Sequence, residues 1–264
     1  MPKTDAYRSP VIAEKRWQTF SLLLLGVLLA AGMLVAIVLS SLMSRIVESR
    51  LTRHQLDLAR VIISIVCIQG AAVLWIHLFL KCNDTTWGEA FGLSQHNYGR
   101  CAALAVLALI LVFIGMAVLG NISTAILNAL YESLHWKWLK PEPQQIVQIL
   151  RNEWPWSLIV VQGVAAIVIA PVSEELIFRG VLYTFLKQRG HAKLALWISS
   201  ALFALVHLHP VGFLSFIFLA MVLTALYERT QNIFAPILLH SLFNGVSFTF
   251  IVANPKWAEK WINQ

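Results

Sequence analysis

An all-α, polytopic membrane helix bundle of about seven to eight transmembrane helices is the fold class this sequence predicts, and three observations predict it. Hydrophobic residues fill 58% of the 264 positions and charged residues only 12%, against roughly a quarter charged in an ordinary soluble domain; the mean hydropathy is +0.72. The apolar residues gather into successive runs long enough to cross a hydrocarbon core, which takes about 20 helical residues. Most of the ten tryptophans fall at the ends of those runs, Trp75 and Trp197 being the main exceptions, as an aromatic belt at the two interfaces requires.

In chain order, residues 1–18 are polar and basic (Lys3, Arg8, Lys15, Arg16) and read as a cytoplasmic tail. The apolar run after them is too long for a cleavable signal core, so Thr19 to Met43 is expected to be a retained first span, with Gly26 and Gly32 marking close helix packing. Ser44 to Arg60 is polar and continues the helix outside the membrane. Ala59 to Leu80 is the second span, ending near an interfacial His77. Lys81 to Arg100 carries turn signals at Asn83-Asp84, Gly88 and Asn97, and Cys101 to about Leu130 is the third span. A loop rich in tryptophan and proline follows (Trp136, Trp138, Pro141, Pro143, Trp154, Pro155, Trp156). Within it, Gln144 to Asn152 sets Ile146, Ile149 and Leu150 on one helical face. That pattern fits a short interfacial helix, and equally a loop covering the bundle.

Ser157 to Leu186 is the next apolar segment. Pro171 interrupts it, removes a backbone donor and is expected to kink it; a division there raises the count from seven spans to eight. After a basic hairpin (Lys187, Arg189, Gly190, Lys193) come Leu194 to Leu208, a turn at His209-Pro210, and Val211 to Tyr227. A polar turn over Glu228 to Asn232 leads into the last span, Ile233 to Val252, and the tail with Trp257 and Trp261 returns to the interface.

The formal charge of +7 does not imply a nucleic-acid partner, because the basic residues are scattered among loops without a basic helix or aromatic RNA-binding motif. In a multi-span chain such residues set orientation or meet lipid headgroups; here they divide almost evenly between the two sides, and the Lys187–Lys193 hairpin favours the inside. An integral, multi-pass location is expected, in the inner or plasma membrane if the host is bacterial. Cys67, Cys82 and Cys101 form no CxxC and no metal-like cluster and read as small packing residues.

The chemistry lies in Glu174-Glu175-Leu176-Ile177-Phe178-Arg179. Each such charge at the centre of a span costs about 2.5–3.5 kcal/mol, so three in six positions need partners, water or a function. Glu175 and Arg179 are i,i+4 neighbours on one helical face, while Glu174 points about 100° away. Arg179 can therefore lock Glu175 while Glu174 faces a cavity, a setting from which a general base or acid is made. Two further motifs follow, Phe203-x-x-x-His207 and His240-x-x-x-Asn244, the latter again an i,i+4 pair whose imidazole and carboxamide can point at one spot. Together these groups fit a hydrolytic centre: a base activates water, histidines hold that water or a metal, and Asn244 donates to an oxyanion. Imidazole and carboxylate also suit zinc. His209 falls on nearly the opposite face from His207 and reads as interfacial.

Glu-Glu-x-x-x-Arg, Phe-x-x-x-His and His-x-x-x-Asn, in that order on successive membrane segments, resemble the CPBP family of intramembrane proteases, also called the Abi family. That family includes the type II CAAX prenyl endopeptidases and bacteriocin-processing or immunity homologues. The resemblance covers about Ser157 to Val252 and implies three regions: 1–156, membrane helices and loops without motif; 157–253, a catalytic membrane core; 254–264, an interfacial tail. It further implies that Glu174 activates the attacking water, that Glu175 held by Arg179 supports it, and that His207 positions the water or a metal. His240 and Asn244 then stabilise the oxyanion, or His240 joins a zinc shell with Glu174 and His207. A peptide or prenylated protein substrate and membrane lipids are the partners implied. Two other readings stay open: a non-catalytic scaffold or immunity protein that keeps the polar core for structure, and an ion-coupled transporter. The first three spans lack the polar groups a transport path requires, and there is no HExxH, no Gly-x-Gly-Asp and no P-loop.

Overall fold

The computed structural model describes residues 17, 19–47, 51–135 and 155–254. Eight helices are described: α1 (Thr19–Val47), α2 (Arg53–Cys82), the short α3 (Trp87–Phe91), α4 (Tyr98–Leu134), α5 (Trp156–Lys187), α6 (Ala192–Val206), α7 (Phe213–Thr230) and α8 (Phe234–Ala253). Six are long and apolar enough to cross a membrane, and α6, with 15 residues, is a shorter apolar helix. The chain is thus an integral, multi-pass helical membrane protein; among the described residues the six spans and the shorter α6 fall on the seven apolar runs of the sequence. The division that would have made eight is absent, because α5 passes through Pro171 as one helix. The interfacial helix expected at Gln144 to Asn152, the basic tail over 1–16 and the Trp257–Trp261 tail lie outside the described residues.

Local sequence sets the boundaries. Capping boxes start α2, where Thr52 accepts from Gln55 N–H and the Gln55 side chain accepts from Thr52 N–H, and α3, where Thr86 and Glu89 do the same. α3 ends at Gly92, whose φ of 70° and crowding against the Gln231 carbonyl leave no room for a Cβ. Gly92 therefore docks the α3–α4 loop on the α7–α8 corner. Ile233 N–H donates to Phe91 O at 2.9 Å, Asn97 Nδ2 to Thr230 O at 2.8 Å, and the buried Asn232 Nδ2 to Asn97 Oδ1 at 3.1 Å. His77 and Cys101 belong to this corner: His77 Nδ1 accepts from Trp87 Nε1, and the buried Cys101 donates to Asn97 Oδ1.

α4 packs along α7 and α8, and α6 along α7. One apolar core contains Ile76, Phe79, Phe91, Tyr183 and Tyr227; a second, with Val112, Phe178, Phe203, Leu219, Leu223 and Leu239, reaches the polar motifs through Phe203. At the hairpin Lys187 Nζ meets both carboxylate oxygens of Glu228 at 2.6 Å, and Gln188 accepts from Trp17 N–H at 3.1 Å, tying the entry of α1 to the same side. α1 packs on α2 through Gly32, where a Cβ would stand 2.6 Å from Cys67 O; Gly26 has nothing near it and is not a packing glycine.

Candidate active site

All three motifs converge on α5, and two loosened turns in that helix flank the acids. The ladder lengthens to i→i−5 over Ala165–Ile169, returns to i→i−4 over Ala170–Glu175, and lengthens again over Leu176–Tyr183. Such π-turns recur at functional sites. Pro171 falls just after the first, and the helix runs on through it without a break. Thr184 Oγ1 donates to Arg179 O at 3.0 Å and satisfies a carbonyl in the second.

Glu175 is fully buried and forms the expected pair with Arg179: Nη1 donates to Oε1 at 2.9 Å. The buried guanidinium also donates through Nη2 to Ala220 O at 3.1 Å on α7 and lies 4.6 Å over the Phe203 ring. Three fixed contacts hold the pair, which is what makes a buried charge tolerable. The same Glu175 Oε1 faces His240 Nδ1 at 2.8 Å.

Glu174 turns the other way, as the helical arithmetic expects. Its side chain keeps 27% of its exposure, and its Oε2 stands 3.9 Å from His207 Nε2 and 3.9 Å from His240 Nε2. These separations are too long for direct hydrogen bonds, and Glu174 Oε2 is a buried oxygen without a hydrogen-bond partner. The tautomers sharpen the picture. His207 Nδ1 lies 2.6 Å from Phe203 O, and a carbonyl only accepts, so Nδ1 carries the proton; His240 Nδ1 against Glu175 is protonated for the same reason. In its neutral form each ring then presents the lone pair of Nε2 towards Glu174. In that form three acceptors surround one gap, an arrangement that a proton donor or a cation between them would satisfy.

The donor set also suits zinc in kind. Metal-binding imidazoles commonly donate their other N–H to a carbonyl or carboxylate, as both rings do here. The spacing is open, since donors on a tetrahedral zinc at about 2.1 Å stand roughly 3.4 Å apart, and among the described residues no group of three or more His, Cys, Asp or Glu stands close enough to hold a metal ion as placed.

Asn244 does not share a target with His240. Its Nδ2 donates to Ala166 O at 2.8 Å, so one amide hydrogen is committed to the first π-turn of α5. His209 is not on the opposite face of a helix: α6 ends at Val206, Leu208 turns left-handed with φ of 48°, and His209 Nδ1 closes the turn by accepting from Gly212 N–H at 2.8 Å. Among the partners the sequence did not reveal, Ala220 and Ala166 act through backbone carbonyls, which carry no residue-type signal. Phe203, visible only as the fourth residue before His207, proves to be a platform touching Arg179, Phe178, His207 and His240.

Comparison with known proteins bears on this segment. Residues 155–246 match the family model described as Rce1-like, type II CAAX prenyl endopeptidase Rce1-like, so the family likeness drawn from the three motifs holds over the stretch that contains all of them. Three curated proteins are similar over part of their length. UPF0177 protein YaiF of Lactococcus lactis subsp. lactis (strain IL1403) is 37% identical over 93 residues, 34% of this chain and 40% of the relative. The protein named "Putative membrane peptidase YdiL" of Bacillus subtilis (strain 168) is 32% identical over 85 residues, 32% of this chain and 33% of the relative. UPF0177 protein YxdF of the same Lactococcus strain is 36% identical over 81 residues, 29% of this chain and 42% of the relative. The matched stretch thus spans a third to two fifths of these relatives. No solved structure matches the chain.

Proposed function

We propose that the protein is a membrane-embedded endopeptidase that hydrolyses a peptide bond near the membrane interface, with Glu174 as the base. The observation that carries this reading is the position of Glu174 Oε2, unpartnered and 3.9 Å from both His207 Nε2 and His240 Nε2. A water in that gap donates one proton to Glu174 Oε2 and the other to an imidazole. Glu174 takes its proton as the oxygen adds to the scissile carbonyl carbon, and returns it to the amine nitrogen as the C–N bond breaks. Glu175, buried between Arg179 and His240, holds the His240 ring in place. The remaining amide hydrogen of Asn244 would donate to the tetrahedral oxyanion.

Glu174, His207 and His240 are the residues that would hold a zinc ion, which when bound polarises the carbonyl and acidifies water. The family likeness and the relative named a membrane peptidase support a peptide or protein substrate, and a prenylated CAAX peptide is the first to test.

The test uses full-length protein in lipid nanodiscs with a farnesylated CAAX peptide, its unprenylated counterpart and a membrane-peptide library, with bound zinc measured on the same preparation. Cleavage by the wild type, lost in Glu174→Gln, supports the reading. An equally active Glu174→Gln overturns it. Cleavage of the unprenylated counterpart at the same rate removes prenyl recognition but not the peptidase.

The buried Glu175–Arg179 pair favours one competing reading, a polar core kept for structure. On that reading, substitutions at Glu174, His207 and His240 would lower abundance and function together.

A further inference from the structure

The turn of α5 ahead of Glu174 contains a carbonyl that the backbone itself leaves without a donor. In the Ala165–Ile169 turn the ladder runs i→i−5, and Ala170 N–H donates to Ala165 O. Ala166 O thereby loses Ala170, its donor in a regular helix. The next donor in the lengthened register would be residue 171, and proline has no N–H. A buried carbonyl left so is unfavourable, and the amide that satisfies it comes from another helix: Asn244 Nδ2 on α8, at 2.8 Å. The two helices are neighbours at the next residue too, where a Cβ on Gly245 would make ordinary contact, 3.6 Å from the Ile167 side chain. His240 stands one turn from Asn244 and bonds Glu175, one turn beyond Pro171. α8 is therefore fastened to α5 at two levels, on either side of the proline.

We propose that Pro171 is a positioning residue: by withholding an N–H it reserves the Ala166 carbonyl for Asn244, and so fixes the Asn244 amide and the His240-bearing turn of α8 relative to Glu174. A residue with an N–H at 171 satisfies Ala166 O from within α5 and releases Asn244. Stability and activity then move apart. The helix keeps its hydrogen bond, while the amide and the adjacent turn lose their register with the acid. The activity arm rests on the peptidase reading above; the stability arm does not.

Full-length wild type, Pro171→Ala, Pro171→Val, Asn244→Ala and the corresponding double variants are compared in nanodiscs by thermal unfolding, by hydrogen exchange at residue 171, and by cleavage of whichever peptide the wild type cleaves. The Val variant replaces the buried volume that Ala removes. With Pro171 present, Asn244→Ala is expected to lower the unfolding midpoint by about 2–4 °C; in a 171 variant the same change has no measurable effect, the signature of a coupled pair. At least one 171 variant melts no lower than wild type and shows a protected amide at 171, and its kcat falls by about tenfold or more with KM held. Equal midpoint losses from Asn244→Ala in both backgrounds, a freely exchanging amide at 171, or wild-type kcat in a folded 171 variant would each overturn the proposal. Failure of both 171 variants to fold overturns it too, by assigning Pro171 to packing alone. If Glu174→Gln is fully active, the peptidase reading falls while the unfolding cycle still decides the pairing.

Discussion

Glu175 Oε1 receives two donors at once, Arg179 Nη1 at 2.9 Å and His240 Nδ1 at 2.8 Å. One oxygen thus joins a lock within α5 to an imidazole on α8, and the histidine that faces Glu174 is held by the acid next to it in sequence. Lock and site share an atom, which decides how substitutions at the two acids should differ.

Glu174 makes no direct hydrogen bond and is partly exposed. Glu174→Gln is therefore expected to leave the unfolding midpoint of the nanodisc-embedded protein unchanged while lowering the cleavage rate by about 10²–10⁴-fold, the range set by loss of a general base. Single-turnover cleavage and thermal unfolding on one sample check both halves.

Arg179→Ala should behave in the opposite sense. It leaves a buried Glu175 carboxylate with only His240 for a partner, a loss of about 3–5 kcal/mol when one member of a buried pair is removed. Expression and unfolding should fall together. Glu175→Gln combined with Arg179→Met should recover most of the stability but little activity, because His240 then lacks its anionic partner. A double variant no more stable than Arg179→Ala would count against the lock.

The two histidines should separate as well. His207 keeps 27% of its side-chain exposure and bonds only its own helix, whereas His240 is buried and bridges two helices. His207→Ala should lose activity at a nearly unchanged unfolding midpoint, and His240→Ala should lose both. Equal midpoints for the two variants would contradict the different anchoring.

Gly92→Ala tests the scaffold at the α3–α4 loop. Its left-handed φ and the facing Gln231 carbonyl make any Cβ unfavourable, with a backbone penalty of about 1–2 kcal/mol before the clash is counted. Reduced stability with a normal rate per folded molecule is expected, read from the folded fraction and the cleavage rate of the same preparation.

Much of this was legible in the sequence because it is local. Run length marked the spans, and i,i+4 spacing paired Glu175 with Arg179 and turned Glu174 away from them. What was not legible is non-local or carried by the main chain. Nothing in the residue types shows that α5 contains two widened turns, that it runs on through Pro171 undivided, or that Asn244 is turned to a carbonyl in the first of those turns. The turn at His209-Pro210 is where the sequence puts it, but α6 ends two residues earlier than its apolar run, because Leu208, an ordinary helix former, adopts a left-handed conformation there. Gly26 and Gly32 look alike in sequence, and only the approach of Cys67 O distinguishes them.

The length of α6 has a consequence for the lipid around it. Fifteen residues rise about 22 Å, short of the roughly 30 Å hydrocarbon core, yet α6 shows Leu194, Trp197, Leu202, Leu205 and Val206 to the outside, and Leu208 beyond its end. A short apolar helix facing acyl chains draws the bilayer thinner beside it, and the thinned rim here borders the turn that follows His207. A thinner bilayer at that turn would bring headgroups and water nearer to His207 and Glu174, so the cleavage rate in nanodiscs is expected to depend on acyl-chain length.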